Sequence, residues 1–255
     1  MSSQNSLQRL SLGQFADRFR SEMIPLGNRF CYFCAAVSLS PDDLREYLEE
    51  PVAALPHKIA AALPKVQIFL VPYLERSQGR ARRDGAVDLL VTLEKPGEDK
   101  STYSGSVVAG NEALLAFAVK DTEVADYHYR FYRAIAELLA EHVNPSEMTS
   151  FISLLREELS SNVHGEVDEA SWRAKQAISR RSAKGDSKRF REYVRASFVD
   201  SMTLYLHGIC CDIDVETGPR QLPSRYLRRR LELFRDLYPP PEGYAVFPDE
   251  NGAAG

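Results

Sequence analysis

Two stretches of the chain repeat a pattern of residue types that could support chemistry: an acid, a hydroxyl and a His-Gly pair at the same spacing. The members of the pattern are Glu157, Ser160, His164 and Gly165 in the first stretch and Asp200, Thr203, His207 and Gly208 in the second. Further acids follow each copy, including Asp168 and Asp212. The apolar spacing around them predicts two helices, over about 146–169 and about 186–214. Any catalytic or metal site is therefore expected between these helices.

The second predicted helix is the more informative of the two, because residues 196–213 are apolar on nearly all sides. Such a helix is normally buried. Asp200, Thr203 and His207 nevertheless fall on one narrow stripe of it. An ionised aspartate that is buried without partners is strongly destabilising. We therefore expect this stripe to face polar groups, and the polar side of the first helix is the expected partner.

The first predicted helix is amphipathic, which alone would indicate only a surface helix. Its predicted core stripe consists of Met148, Ile152, Leu155, Leu159 and Val163. At 100° per residue, Glu157, His164 and Asp168 lie on the opposite side.

Three interpretations of the paired stripes remain open. His164 and Asp168 are four residues apart, so on one helix both could reach one divalent ion, and these ligand types suit zinc, iron or manganese. The predicted metal ligands are His164, Asp168, His207 and Asp212, and the predicted catalytic residues are Glu157 and Asp200. The same groups could form a metal-free acid–base site or a purely structural hydrogen-bond network. A metal-assisted hydrolase is thus one hypothesis, and the pattern does not establish an enzyme.

Clusters of basic residues support a rival hypothesis, a non-catalytic protein that binds a partner or an anionic ligand. Residues 173–195 contain nine basic residues against Asp186 and Glu192. Arginine forks suit phosphate, although a basic stretch can equally be a solvated face paired with nearby acids. The predicted anion contacts are Arg76, Arg80, Arg82 and Arg83 in one loop and Arg180, Arg181, Lys188 and Arg189 in another.

The elements that would position these residues belong to an α+β fold. Short β-favouring runs separated by turn residues predict an antiparallel meander of about three or four strands over residues 66–120. Helical periodicity before and after this region predicts about six to eight helices packed against it. No composition break requires a second domain, so we expect one domain over 9–240 with flexible termini at 1–8 and 241–255.

Composition narrows the class of protein further. The net charge of −4 and isoelectric point near 5.8 indicate no global attraction to nucleic acid or to an acidic membrane surface. No apolar stretch approaches the roughly 20 residues that span a bilayer, and the first residues lack the pattern of a secretory signal. The four cysteines are then expected as free thiols in a reducing compartment. We expect a cytoplasmic protein.

Overall fold

The structure is a computed structural model, and it describes residues 10–77, 89–178, 186–211 and 220–246. The chain divides into two compact units, Met1–Glu50 with Leu63–Arg130 and Pro51–Ala62 with Phe131–Gly255. The predicted α+β class is confirmed, since the protein is 52% helical and has two sheets. The predicted single-domain boundaries at 9 and 240 stay a prediction. Several predicted site residues lie outside the described residues: Arg80, Arg82, Arg83, Arg180, Arg181 and Asp212.

The strands, in chain order, are β1 (Leu10–Ser11), β2 (Ile24–Pro25), β3 (Phe30–Cys34), β4 (Lys65–Val71), β5 (Tyr73–Arg76), β6 (Leu89–Thr92), β7 (Ser101–Thr102), β8 (Ser104–Ala109) and β9 (Glu112–Ala118). The α-helices are α1 (Leu12–Phe19), α2 (Pro41–Leu44), α3 (Glu50–Ala53), α4 (His57–Ala62), α5 (Val124–His142), α6 (Pro145–Ser160), α7 (Glu169–Gln176), α8 (Lys188–Cys210) and α9 (Ser224–Leu237). A 3₁₀ turn, Arg20–Glu22, follows α1, and a π-helical segment, Arg45–Glu49, joins α2 to α3.

The first unit contains both sheets. A four-stranded antiparallel sheet has the order β1-β6-β5-β7, and a five-stranded sheet has the order β2-β3-β4-β9-β8. Strands are present over 66–120 as predicted, but they divide between the two sheets, and β4 pairs in parallel with both β3 and β9. The reason is visible in Val66–Val71, which is buried throughout. A strand covered on both faces reads as a continuous apolar run, as is typical of parallel sheets.

An aromatic cluster fixes α1 against the five-stranded sheet. The ring of Phe15 lies 4.7 Å from that of Phe19 and 5.2 Å from that of Phe69, and the rings of Phe19 and Phe33 stack at 4.6 Å. Ser11 begins α1 with a capping box, in which its hydroxyl accepts from the backbone of Gln14. The helix ends at Phe19.

The second unit is helical, and α8 runs through its core. Aromatic rings from three helices meet there: Phe151 of α6 lies 5.5 Å from Phe198 of α8 and 5.2 Å from Phe234 of α9. The prediction that the second His-Gly stretch lies on a largely buried helix is confirmed, because most residues from Phe190 to Ile209 are buried. None of the described helices is both long and apolar enough to cross a membrane.

Candidate functional site

Asp200 and Asp168, one from each predicted stretch, share a single arginine. Nη1 of Arg133 on α5 lies 3.1 Å from Oδ1 of Asp200 and 3.3 Å from Oδ2 of Asp168. The other oxygen of Asp200 accepts a hydrogen bond from the backbone N–H of Ser171 at 2.9 Å. The prediction that Asp200 faces polar groups is therefore confirmed. Arg133 and Ser171, which supply that polarity, were not predicted.

Asp168 has its position because it begins α7. Its side chain accepts from the backbone N–H of Glu169 at 2.6 Å, and the Ser171 hydroxyl donates to its carbonyl at 3.0 Å. This capping box turns the first amides of α7 toward carboxylates, which satisfies N–H groups that a helix leaves unpaired. The same turn presents the Ser171 N–H to Asp200.

Opposing effects act on the pKa of Asp200. Burial raises the pKa of this carboxyl group, whereas the hydrogen bonds from Ser171 and the charge of Arg133 lower it, and the net pKa is raised. Asp168 adds a second negative charge that also raises the pKa of Asp200. Arg133 thus places positive charge between the two carboxylates, and the three side chains form an ion-pair network.

The first His-Gly pair does not lie on a helix, so the expected helical spacing of His164 and Asp168 is wrong. α6 ends at Ser160, and the next helix begins only at Glu169. His164 is exposed in the connecting segment. Gly165 has a φ of +81°, and a β-carbon there would lie 2.0 Å from the carbonyl oxygen of Gln221. Gly165 is therefore required by backbone conformation and close approach, not by a repeated site.

The second His-Gly pair is helical, in contrast. His207 is half-buried on α8, and its ring centre lies 6.0 Å from that of Tyr132. Thr203 is buried and donates to the carbonyl of Val199 at 2.8 Å, within its own helix. The two copies of the pattern therefore have different backbone structures, and their similarity is confined to the sequence.

Glu157, one of the predicted catalytic residues, is an exposed surface group. Its two carboxylate oxygens accept from Nη1 and Nη2 of Arg229 on α9 at 2.9 and 2.8 Å. This bidentate pair lowers the pKa of Glu157. A carboxylate held in this way is a poor proton acceptor, because proton uptake would break two charge-assisted hydrogen bonds.

The predicted core stripe of the first stretch is confirmed at Leu155 and Val163, which are buried, and wrong at other positions of α6. The buried residues of this helix are Phe151, Leu155 and Glu158, whereas Ile152 and Leu159 are only partly buried. Glu158, a charged residue, consequently lies in the core. It forms an ion pair with Arg230, which lies on the buried face of α9.

Arg230 is the centre of a buried ionic network that was not predicted as a unit. Its Nη2 lies 2.5 Å from Oε2 of Glu158, and its Nη1 lies 2.8 Å from Oε2 of Glu166. Glu166 also accepts from the Tyr193 hydroxyl at 2.6 Å and from Nζ of Lys175 at 3.0 Å. All polar partners in this network come from the second unit, and both glutamates are fully buried.

Charge pairing in this network overcomes the cost of burial. Burial alone would raise the pKa of Glu166, but Arg230 and Lys175 lower it overall. For Arg230, burial alone would lower the pKa, and the two glutamates raise it overall. Both groups therefore stay ionised near neutral pH. A fully enclosed set of satisfied charges offers no reacting group to a substrate, so we assign it a structural role.

Basic residues near the first turn of α8 have fewer carboxylate partners than Arg133 and Arg230 have. Arg156 of α6 places its guanidinium carbon 5.2 Å from the centre of the Phe190 ring. Arg189, next to Phe190 in the chain, donates from Nη1 to the carbonyl of Ala177 at 3.2 Å. Neither arginine forms an ion pair with a carboxylate among the described residues. Within the described part of the chain, the only ion-pair partner of Lys188 is Glu192, at 3.9 Å. We call Arg156, Lys188 and Arg189 the α8 basic surface.

The other predicted anion contact that the structure describes, Arg76, is an exposed residue of β5 in the first unit. Its backbone N–H donates to the carbonyl of Lys100 at 2.8 Å. The remaining arginines of that predicted loop lie outside the described residues, so the loop stays a prediction.

Comparison of the chain with models of known protein families, with curated proteins and with solved structures finds no match. The functional argument rests on the residues themselves. They show that Asp168, Asp200 and Glu157 are paired with arginines, whereas Arg156 and Arg189 have no carboxylate partner among the described residues. The metal site at His164, Asp168, His207 and Asp212 stays a prediction.

Proposed function

We propose that this protein is a non-catalytic binding protein that holds a phosphate-bearing partner at the α8 basic surface. The observation that carries the proposal is the contrast in pairing between two sets of charges. Asp168, a predicted metal ligand, and Asp200, a predicted catalytic residue, are paired with Arg133, and Glu157, the other predicted catalytic residue, is paired with Arg229. Arg156 and Arg189 are exposed and lack a carboxylate partner among the described residues.

Two features favour phosphate over other anions. Guanidinium groups present planar forks of N–H donors that match the oxygens of a phosphate group. The Arg156 side chain lies on the ring of Phe190, which is itself buried, so the guanidinium has a fixed support. An arginine held against an aromatic ring loses less conformational freedom when it binds, and this favours affinity.

Further basic residues occur in the sequence between α7 and α8. The contact between Arg189 and Ala177 brings together the two ends of the segment that joins α7 to α8. In sequence, that segment contributes Arg180, Arg181 and Lys184. The surrounding protein carries a net charge of −4, so any attraction to phosphate must be local and must weaken as salt is added. In this proposal, Asp200 and His207 are structural residues.

Charge reversal tests the proposal with inorganic polyphosphate as the probe. We expect the double variant Lys188→Glu and Arg189→Glu to bind polyphosphate at least about tenfold more weakly than the unmodified protein, a loss of about 1.4 kcal/mol. The matched control is Arg225→Glu with Arg228→Glu, which makes the same change in net charge on the exposed face of α9. Equal weakening by both pairs, or no binding by the unmodified protein, would contradict the proposal.

A further inference from the structure

The five-stranded sheet of the first unit has one protected edge and one open edge. β2 forms one edge, and it is only two residues long and includes Pro25, which has no backbone N–H to offer. β8 forms the other edge and is six residues long. It pairs with β9 along its whole length, and no described strand pairs with its outer side. The edge strands of the other sheet, β1 and β7, are again only two residues long.

β8 lacks the features by which edge strands avoid pairing with other chains. Its sequence, Ser-Gly-Ser-Val-Val-Ala, has no charged residue and no proline. Natural edge strands are normally shortened, bulged or given a lysine or a proline for this purpose. The register of β8 with β9 is unbroken from Ser104 to Ala109, so no bulge turns it away. Val107 and Val108 are 36% and 44% exposed, on opposite faces of the strand.

The backbone geometry determines which groups point outward. The β8–β9 hairpin has a two-residue turn, so Ala109 and Glu112 exchange hydrogen bonds across it. Alternate residues then also bond to β9, and the carbonyl of Tyr103 accordingly accepts from the N–H of Ala118 at 2.9 Å. The remaining residues, Ser104, Ser106 and Val108, direct their N–H and C=O groups away from the sheet.

We propose that β8 pairs with β8 of a second copy of this chain, which joins two five-stranded sheets into one continuous antiparallel sheet. A two-fold axis perpendicular to the sheet keeps each face on its own side and passes midway between two directly opposed copies of one residue, which can form a hydrogen-bonded or a non-hydrogen-bonded pair. We place the axis at Ser106, whose outward backbone groups would form a hydrogen-bonded pair with those of the second copy. This axis places Val107 opposite Gly105 of the second copy and Val108 opposite Ser104.

This register explains the residues of the strand. Each exposed valine faces a small residue, and on the Gly105 face Leu89 fills the space next to the glycine. A symmetric contact places the residue on the axis directly opposite its own counterpart, so a charge there would repel itself. An uncharged strand avoids that repulsion, and this is why a second copy fits β8 better than a charged partner strand. The proposal concerns the first unit alone and is independent of the proposed phosphate binding.

Charged substitutions of Ser106, the residue on the proposed two-fold axis, test the pairing. The measurement is analytical ultracentrifugation of the full chain. We expect the unmodified protein to form dimers as its concentration rises. Ser106→Lys and Ser106→Glu should each weaken dimerisation at least about tenfold, because like charges would lie directly opposite each other. An equimolar mixture of the two variants should recover a mixed dimer, which also shows that both are folded. Ile24→Lys is the matched control, since it adds the same charge to an exposed residue of the protected edge and should leave dimerisation unchanged.

Three results would overturn the proposal. The first is an unmodified protein that stays monomeric at the highest concentration measured. The second is a dimer that Ser106→Lys leaves intact. The third is a mixture of the two Ser106 variants that shows no mixed dimer although each variant melts like the unmodified protein.

Discussion

A guanidinium nitrogen of Arg230 on α9 lies 2.8 Å from a carboxylate oxygen of Glu166, and neither side chain is exposed to solvent. Glu166 lies between α6 and α7, in the segment where its backbone also bonds to Arg220 and Leu222. The Arg230–Glu166 pair therefore joins the α6–α7 connection to α9 through side chains, and the backbone bonds of Glu166 join the same connection to the residues just before α9. The stability of the second unit is expected to depend on this junction.

Removal of the central charge should destabilise the protein strongly. Arg230→Met keeps much of the side-chain volume but leaves Glu158 and Glu166 buried without their main partner. We expect a decrease of about 3–5 kcal/mol in the free energy of unfolding, measured by urea denaturation. Arg229→Met is the control, because Arg229 and Glu157 form an exposed pair that solvent screens, so its loss should change the free energy of unfolding much less. Similar losses for the two variants would contradict the structural role of Arg230.

The pKa of Glu166 gives a pH dependence of known sign. Arg230 and Lys175 hold this pKa below the ordinary value of about 4.3 for glutamate. The resulting stabilisation is fully present above that ordinary value and is lost as the pH falls through the lowered pKa. Glu166→Gln cannot titrate. The difference in unfolding free energy between the two proteins should therefore be largest near neutral pH and should shrink in acid.

Glu157→Gln is the control for this titration. The pKa of Glu157 is also lowered by an arginine, but the pair is exposed and solvent screens it. We expect a small difference from the unmodified protein at every pH. A Glu166→Gln difference that is the same at neutral and acidic pH would show that the charge of Glu166 is not what stabilises the junction.

The backbone contact at Gly165 should be as sensitive as the ion pair. Gly165→Ala places a methyl group 2.0 Å from the carbonyl oxygen of Gln221 and keeps a left-handed φ of +81°. The left-handed conformation alone costs about 1–2 kcal/mol for an alanine, and the clash adds to it. Gly110→Ala is matched in conformation, with a φ of +62°, but has open space around it. Thermal melting should therefore show a clearly larger decrease for Gly165→Ala than for Gly110→Ala.

The predicted metal site can be tested directly on purified protein. Because Arg133 is paired with both Asp168 and Asp200, we expect less than stoichiometric zinc, iron or manganese by elemental analysis. We also expect the melting temperature to be unchanged after treatment with a chelator. One equivalent of a divalent metal together with a lower melting temperature in chelator would instead favour the metal hypothesis, and loss of that metal in His164→Ala would place it.

Sequence patterns predicted some parts of this structure because the cause is local. The apolar run of α8 predicted its burial, and the charge of Asp200 within that run predicted polar neighbours. Ser40 followed by Pro41 is likewise a local signal for a helix start, and Ser40 caps α2. In each case the residues within one or two turns contain the physical reason for the structure.

Other parts depend on contacts that are distant in sequence. Periodicity at Phe151 and Leu155 places Glu158 on the core face of α6, and Leu227 and Leu231 place Arg230 on the core face of α9. A charged residue on the apolar face of each of two helices indicates a buried ion pair. The predictions above did not include this pair. Glu166, in an irregular segment, carried no such signal. The parallel pairing of β4 with β9 was likewise hidden, because tight turns between the later strands favour hairpins.

The site of phosphate binding is the central claim, and hydrogen–deuterium exchange with saturating inorganic polyphosphate tests it most directly. The proposal predicts slower exchange in the first turns of α8, at Lys188–Glu192, and in the last turns of α6 around Arg156. It also predicts that Lys188→Glu with Arg189→Glu abolishes this protection. Protection confined to other parts of the chain, or no protection when polyphosphate is bound, would contradict it.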